Sequence, residues 1–260
     1  MARSMIGFAA FAVLAYAGIC AALFAFQRSL IYLPQPFPRE SLVRARPLPV
    51  DGADILVTLR ERPGGQALIY FGGNAEIVPL TMPELNRIFP DRALFLPHYR
   101  GYGGSSGSPS EAALFADALA VYDMVRKTHD DIAVMGRSLG SAVATYLAAH
   151  RPVSRLLLVT PFDSLETVAA GHYPFFPVRL LLRDRFDSAF WAGRVDAPTI
   201  LLAAGRDEIV SLASSRKLLE SFRPGTAAMH VIEEAGHNDI SLFTEFYEFT
   251  GTMPRTDVTR

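Results

Sequence analysis

The hydrophobic pattern divides the chain into two unlike parts. Residues 5–26, MIGFAAFAVLAYAGICAALFAF, carry no charge. At about 1.5 Å rise per residue, a helix of that length covers the roughly 30 Å hydrocarbon layer of a bilayer. Further on, short apolar runs alternate with helical patterns. Ile55–Leu59, Ala67–Phe71, Ala93–Leu96, Ile132–Met135, Leu156–Val159, Thr199–Ala203 and Met229–Ile232 read as strands. Most are continuously apolar, the mark of strands buried on both faces. Ser110–Thr128 places Leu114, Ala118, Tyr122 and Val125 on one helical face, with Ser110 as candidate N-cap. Leu139–Ala149 is small and apolar all round, and Leu212–Phe222 and Leu242–Phe249 complete the helices. This alternation predicts an α/β fold, a mostly parallel sheet with helices on both faces.

The pattern predicts three parts: residues 1–27 as an N-terminal transmembrane anchor, 28–50 as a connector rich in proline (Pro34, Pro36, Pro38, Pro47, Pro49), and 51–260 as the main domain. A signal peptide is the rival for the first part. Its apolar region is usually about 7–15 residues and ends at a small-x-small site, and Leu23-Phe24-Ala25 fits such a site poorly. A single-span anchor is therefore expected. Arg3 on one side, with Arg28, Arg39, Arg44 and Arg46 on the other, leaves the side of the main domain open. Residues 161–196 break the strand–helix rhythm with HYPFFPVRLLL and FDSAFWAG. An aromatic insert after a strand reads as a lid, with Phe162, Tyr173, Phe175, Phe176 and Trp191 as candidate pocket walls. Ordinary core helices are the plainer alternative.

Composition removes several classes of function. Net charge is −1, and the Lys and Arg residues are spread along the chain, so no field favours nucleic acid. The lone cysteine, Cys20, permits no intrachain disulfide and no cysteine-based metal site. No cofactor or metal is expected. Gly101-x-Gly103 follows a strand, but Ser106 stands where a third glycine belongs and no Walker lysine follows, so phosphate binding is not expected there.

The candidate chemistry begins at residues 132–142, IAVMGRSLGSA. Gly136 and Gly140 flank Ser138 between an apolar strand and a small-residue helix. That is the strand–turn–helix setting of a nucleophile elbow. A serine hydroxyl needs a base. His237, in AGHND after the last strand, stands where the chain order Ser…Asp…His puts it. Asp207, in RDEIV, is the preferred acid, and Asp163, in TPFDS, competes with it. Asp239 reads as the N-cap of the last helix. The oxyanion needs two donors. They are assigned to the N–H groups of Leu139 and Asn74, the latter in the loop Phe71-Gly72-Gly73-Asn74, where Gly72 and Gly73 allow close backbone approach. A simple glycine turn is the alternative there. His98 follows a strand and is a further candidate to line the site.

Together the blocks FGGNA, YRGYGGSSG, GRSLG, RDEIV and GHND resemble the α/β-hydrolase superfamily, and within it a membrane-anchored group of small serine hydrolases. The resemblance covers residues 28–250 or so. It implies Ser138 as nucleophile, Asp207 as acid, His237 as base, and Asn74 and Leu139 as oxyanion donors. Many such relatives have histidine where Gly72 stands, so a wider pocket or a changed loop polarity is expected here. The implied activity is hydrolysis of an ester or thioester, with an apolar acyl group in the substrate. A peptidase or amidase of the same fold, and a membrane-tethered binding protein without catalysis, are the alternatives.

Overall fold

Eight strands form one sheet in the order β1-β2-β4-β3-β5-β6-β7-β8. The computed structural model describes residues 2–38 and 44–251. The strands are β1 (Arg44–Val50), β2 (Ala53–Arg60), β3 (Gln66–Phe71), β4 (Ala93–Pro97), β5 (Asp131–Arg137), β6 (Arg155–Val159), β7 (Thr199–Ala204) and β8 (Ala227–Ile232). β2 runs antiparallel to β1 and β4, and all other neighbours are parallel. Each apolar run predicted as a strand is one.

β1 occupies part of the expected connector. Pro47 and Pro49 argued against a strand, but β1 lies at the sheet edge, where a residue without an N–H is tolerated. The front of the connector also differs. Helix α1 (Ala2–Ile31) continues past residue 27 before the chain turns extended. Residues 39–43 of the connector, Arg39 included, and the tail 252–260 lie outside the described residues. The Met5–Ile31 stretch of α1 is long and apolar enough to cross a membrane.

Alternate strand residues feed two cores. Ile132 and Val134 of β5 face one side, and Ala133 and Met135 the other. On the first side pack α3 (Glu111–Val125), α4 (Leu139–His150), α7 (Ser188–Ala192) and α8 (Leu212–Ser221); on the second, α2 (Met82–Ile88) and α9 (Thr244–Gly251). Both faces of the central strands are thus covered, which is why their sequences do not alternate. Ser110 caps α3 as expected, its hydroxyl accepting the Ala113 N–H at 3.2 Å. Asp239 does not cap the last helix; its carboxylate accepts the Gly236 N–H at 2.7 Å and closes the turn ahead of His237.

The two halves of the inserted segment pack differently. Helices α5 (Leu165–His172) and α6 (Val178–Leu181) lie against the end of α1. α7 joins the main core, with Ala192 fully buried.

Candidate active site

The parallel strands β5, β7 and β8 end on one rim of the sheet, and each delivers a side chain there. β5 ends in a turn so tight that Ser138 takes φ 51° and ψ −119°, a strained conformation for a residue with a Cβ. The flanking glycines show why. A Cβ on Gly136 would lie 2.2 Å from the Gly140 carbonyl oxygen, and one on Gly140 would lie 2.1 Å from that of Phe71. The turn is held by the Ser138 N–H on the Val159 carbonyl (2.9 Å). α4 begins at Leu139, whose N–H is among those a helix leaves without an internal partner.

His237 follows β8, and its Nε2 lies 2.9 Å from Ser138 Oγ. Asp207 follows β7, and its Oδ2 and Oδ1 lie 2.8 and 3.0 Å from His237 Nδ1. The side chains of His237 and Asp207 are almost fully buried. With Nδ1–H donating to the carboxylate, Nε2 is left as the acceptor for the serine hydroxyl. Asp207 is itself fixed by the N–H groups of Ile209 and Val210, at 2.9 and 2.7 Å. Asp163, the competing acid, is committed elsewhere: it accepts from Lys217 Nζ (2.5 Å), Ser214 Oγ (2.5 Å) and Thr167 Oγ1 (2.8 Å). Burial pushes the Asp163 carboxyl up, but these three hydrogen bonds and the lysine charge carry it below its ordinary value.

Ser138 opens into a cavity of about 990 Å³. Gly73, Phe162 and Tyr173, expected as walls, line it, and so do Leu139 and Asn74. Five other expected wall residues do not. Gly72 is buried, its carbonyl accepting from Tyr99 Oη at 2.7 Å, and a Cβ there would meet Val78 at 2.6 Å. Its smallness makes room for Val78 rather than widening the pocket. His98 is buried beneath Phe37, with Nε2 2.7 Å from Thr58 Oγ1. Its ring fills the space beside Gly103, so the glycine-rich turn packs on a side chain. Phe175 points to the exterior, 84% exposed. Phe176 stacks on Tyr16 of α1. Trp191 packs edge-on against Tyr146 of α4.

Several wall residues have no motif to announce them. Leu30, Ile31 and Leu33, from the end of α1 and just beyond it, line the cavity. So does His172, whose Nε2 meets the Ile209 carbonyl at 2.9 Å. Glu76 accepts the Gly73 N–H (2.9 Å), Tyr70 Oη (2.9 Å) and Thr81 Oγ1 (2.6 Å), bracing the Asn74 loop from below. Arg137 donates to the carbonyls of His237 (3.3 Å) and Asn238 (3.2 Å), so the elbow also steadies the histidine loop. Their place beside the motifs offered one signal: Arg137 occupies a variable position inside GRSLG, and Glu76 directly follows FGGNA. Among the described residues, no group of three or more His, Cys, Asp or Glu side chains could hold a metal ion.

The arrangement can therefore take a proton from a hydroxyl and hold the resulting imidazolium charge. No family model matches the sequence. The "Uncharacterized protein Rv2307c" of Mycobacterium tuberculosis is 34% identical over 254 residues, covering 90% of this chain and 88% of the relative. The chain belongs to the family of that mycobacterial protein. Its fold is the α/β-hydrolase fold: the Pyrococcus furiosus esterase Pf2001 superposes with a TM-score of 0.67 over 84% of this chain and 97% of its own, at 15% identity. Alpha/beta hydrolase domain-containing protein 17B of Xenopus laevis is 28% identical over 161 residues, 60% of this chain and 54% of the relative.

Proposed function

We propose that this chain is a membrane-anchored serine hydrolase that cleaves esters or thioesters bearing an apolar acyl group. The observation that carries the reading is the continuous chain from Asp207 through His237 to Ser138 Oγ, at 2.8 and 2.9 Å. The esterase and α/β-hydrolase neighbours support it by analogy of fold. Leu30, Ile31, Leu33, Phe162 and Tyr173 give the cavity an apolar part beside Glu76, Glu84 and Arg137, and that apolar part favours a hydrocarbon group.

In the first step, His237 Nε2 takes the Ser138 proton as Oγ attacks the acyl carbonyl carbon. The charge on the carbonyl oxygen is held by the N–H groups of Leu139 and Asn74. The tetrahedral intermediate collapses, the bond to the leaving oxygen or sulfur breaks, and the leaving group takes the proton from His237. Water then attacks the acyl-enzyme with His237 again as base, releasing the carboxylic acid and restoring Ser138. Asp207 keeps the imidazole in the tautomer this sequence needs and stabilises its charged form.

In this reading α1 is a single-span anchor, and the domain of residues 51–260 carries the chemistry. The test is turnover of p-nitrophenyl esters by the full-length protein in detergent. Ser138→Ala is expected to lower kcat by at least about 10³-fold; unchanged turnover would sink the mechanism.

A further inference from the structure

A second, smaller cavity of about 90 Å³ lies between α1 and the lid helices α5 and α6. The two share Leu30, Ile31, Ala169, Tyr173 and Leu182 as walls, so they adjoin across these side chains. Beyond the shared wall, the second cavity is lined by Leu23, Gln27, Phe176, Val178 and Leu181.

The one polar side chain on this second stretch has its donors spent. Gln27 Nε2 donates to the carbonyls of Phe24 (2.9 Å) and Leu181 (3.0 Å), and its Oε1 accepts the Arg183 N–H (2.7 Å). Apart from Tyr173, which carries a hydroxyl, the groove therefore offers an occupant apolar contact, which disfavours charged groups. It is also a built groove. Arg28 donates to both oxygens of buried Asp184, at 2.9 and 3.2 Å, and Tyr32 Oη donates to the same carboxylate at 3.1 Å. These bonds clamp lid to helix at the groove's base.

Its far end points along the apolar helix. Tyr16 Oη donates to the Phe175 carbonyl at 2.9 Å, and the Tyr16 ring stacks on Phe176. Tyr16 lies roughly 20 Å along α1 from Ile31 at the rise of an α-helix. The lid tip thus reaches well up a helix long enough to span a bilayer, and it holds Phe175 and Leu180 more than four-fifths exposed. Side chains of that kind are stable in hydrocarbon and costly in water.

We propose that this groove seats a long unbranched acyl chain, with its carbonyl at Ser138 and its tail running along α1 toward the bilayer interior. The proposal rests on the serine-hydrolase reading and narrows its substrate to acyl groups drawn from the membrane. An acylglycerol and an S-acylated peptide share this chemistry.

The test uses the full chain in lipid nanodiscs, with active sites counted by fluorophosphonate labelling. The kcat/KM ratio of hexadecanoyl to butanoyl substrates is measured with glycerol esters and with S-acyl peptides. Leu23 lines the second cavity and not the first, so Leu23→Trp fills the seat alone. The ratio is expected to fall at least about tenfold in Leu23→Trp, with either headgroup. Phe176→Ala, which opens the seat, is expected to leave the preference for long chains in place, and it guards against a folding defect in the first variant. The headgroup with the higher kcat/KM identifies the source of the chain. An unchanged ratio in Leu23→Trp with full labelling would overturn the seat while leaving the hydrolase reading intact. So would an unchanged ratio with an altered oligomeric state, which would give the groove to a second copy of α1. Turnover independent of Ser138 at every chain length would overturn the hydrolase reading and the seat with it.

Discussion

The side-chain amide of Asn74 donates to the backbone carbonyl of Ile31 across 2.9 Å. The Asn74 carbonyl in turn accepts from Tyr102 Oη at 2.7 Å and from the Leu33 N–H at 3.3 Å. The loop assigned to the oxyanion is thus tied to the end of the apolar helix. Asn74→Ala keeps the backbone N–H and removes the side-chain tie. A donor misplaced by a fraction of an ångström loses part of the roughly 10²-fold that one oxyanion contact supplies. The expected result is kcat lower by about tenfold on short esters with KM little changed. Steady-state kinetics check it, and an unchanged kcat would remove the loop from the chemistry.

The two candidate acids separate cleanly by mutation. Asp207→Asn leaves the geometry in place but favours the wrong imidazole tautomer, and kcat is expected to fall by about 10³ to 10⁴. Asp163→Ala strips Lys217, Ser214 and Thr167 of their shared acceptor. It is expected to cost about 2 kcal/mol of stability and to leave kcat within about threefold. Thermal melts and kinetics on both variants distinguish the roles; the reverse pattern would reassign the acid.

Ser138 stores strain that its own chemistry requires. At φ 51° and ψ −119°, replacement by glycine relieves a cost of about 1 kcal/mol or more. Ser138→Gly should therefore melt higher than the parent chain while losing its activity. Gly140→Ala should do the opposite to the fold, because its Cβ would run into the backbone carbonyls of Phe71 and Gly72. A Ser138→Gly protein that melts lower would show that the turn is not strained.

Much of this was legible beforehand, for identifiable reasons. Strands such as Leu156–Val159 are buried on both faces and read as plain apolar runs. Ser138, Asp207 and His237 each follow a strand that ends on the same rim, so chain order alone brought them together. β1 was hidden by Pro47 and Pro49, because nothing local tells an edge strand from an extended linker. His98 follows a strand too, but position after a strand does not say which face the ring takes, and it turned toward Thr58. The role of α1 as a wall was not legible at all. Contacts such as Asn74 with Ile31 and Gln27 with Leu181 join segments whose pairing no periodicity encodes. The places of three aromatics in the insert were hidden for the same reason: Phe175 faces the outside, Phe176 packs on α1 and lines the second cavity, and Trp191 joins the core.

His98 gives the fold a pH dependence of known sign. Burial lowers it to about 4, against about 6.5 in an unfolded chain. As pH falls, the unfolded chain takes up the proton first. The contribution is complete above about pH 6.5 and is lost as pH drops toward about 4, by about 3 kcal/mol in all. Urea midpoints at about pH 7 and about pH 4.5 should separate further in the parent than in His98→Gln. Equal separations would mean that His98 is protonated in the folded protein.

The central claim is that Ser138 Oγ is the nucleophile, and covalent capture tests it most directly. The full-length protein is treated with a fluorophosphonate, digested, and its peptides weighed. One phosphonylated residue is expected, Ser138, with labelling abolished in Ser138→Ala and strongly slowed in His237→Ala. Absence of any adduct on the folded parent chain, or an adduct that persists in Ser138→Ala, would contradict it.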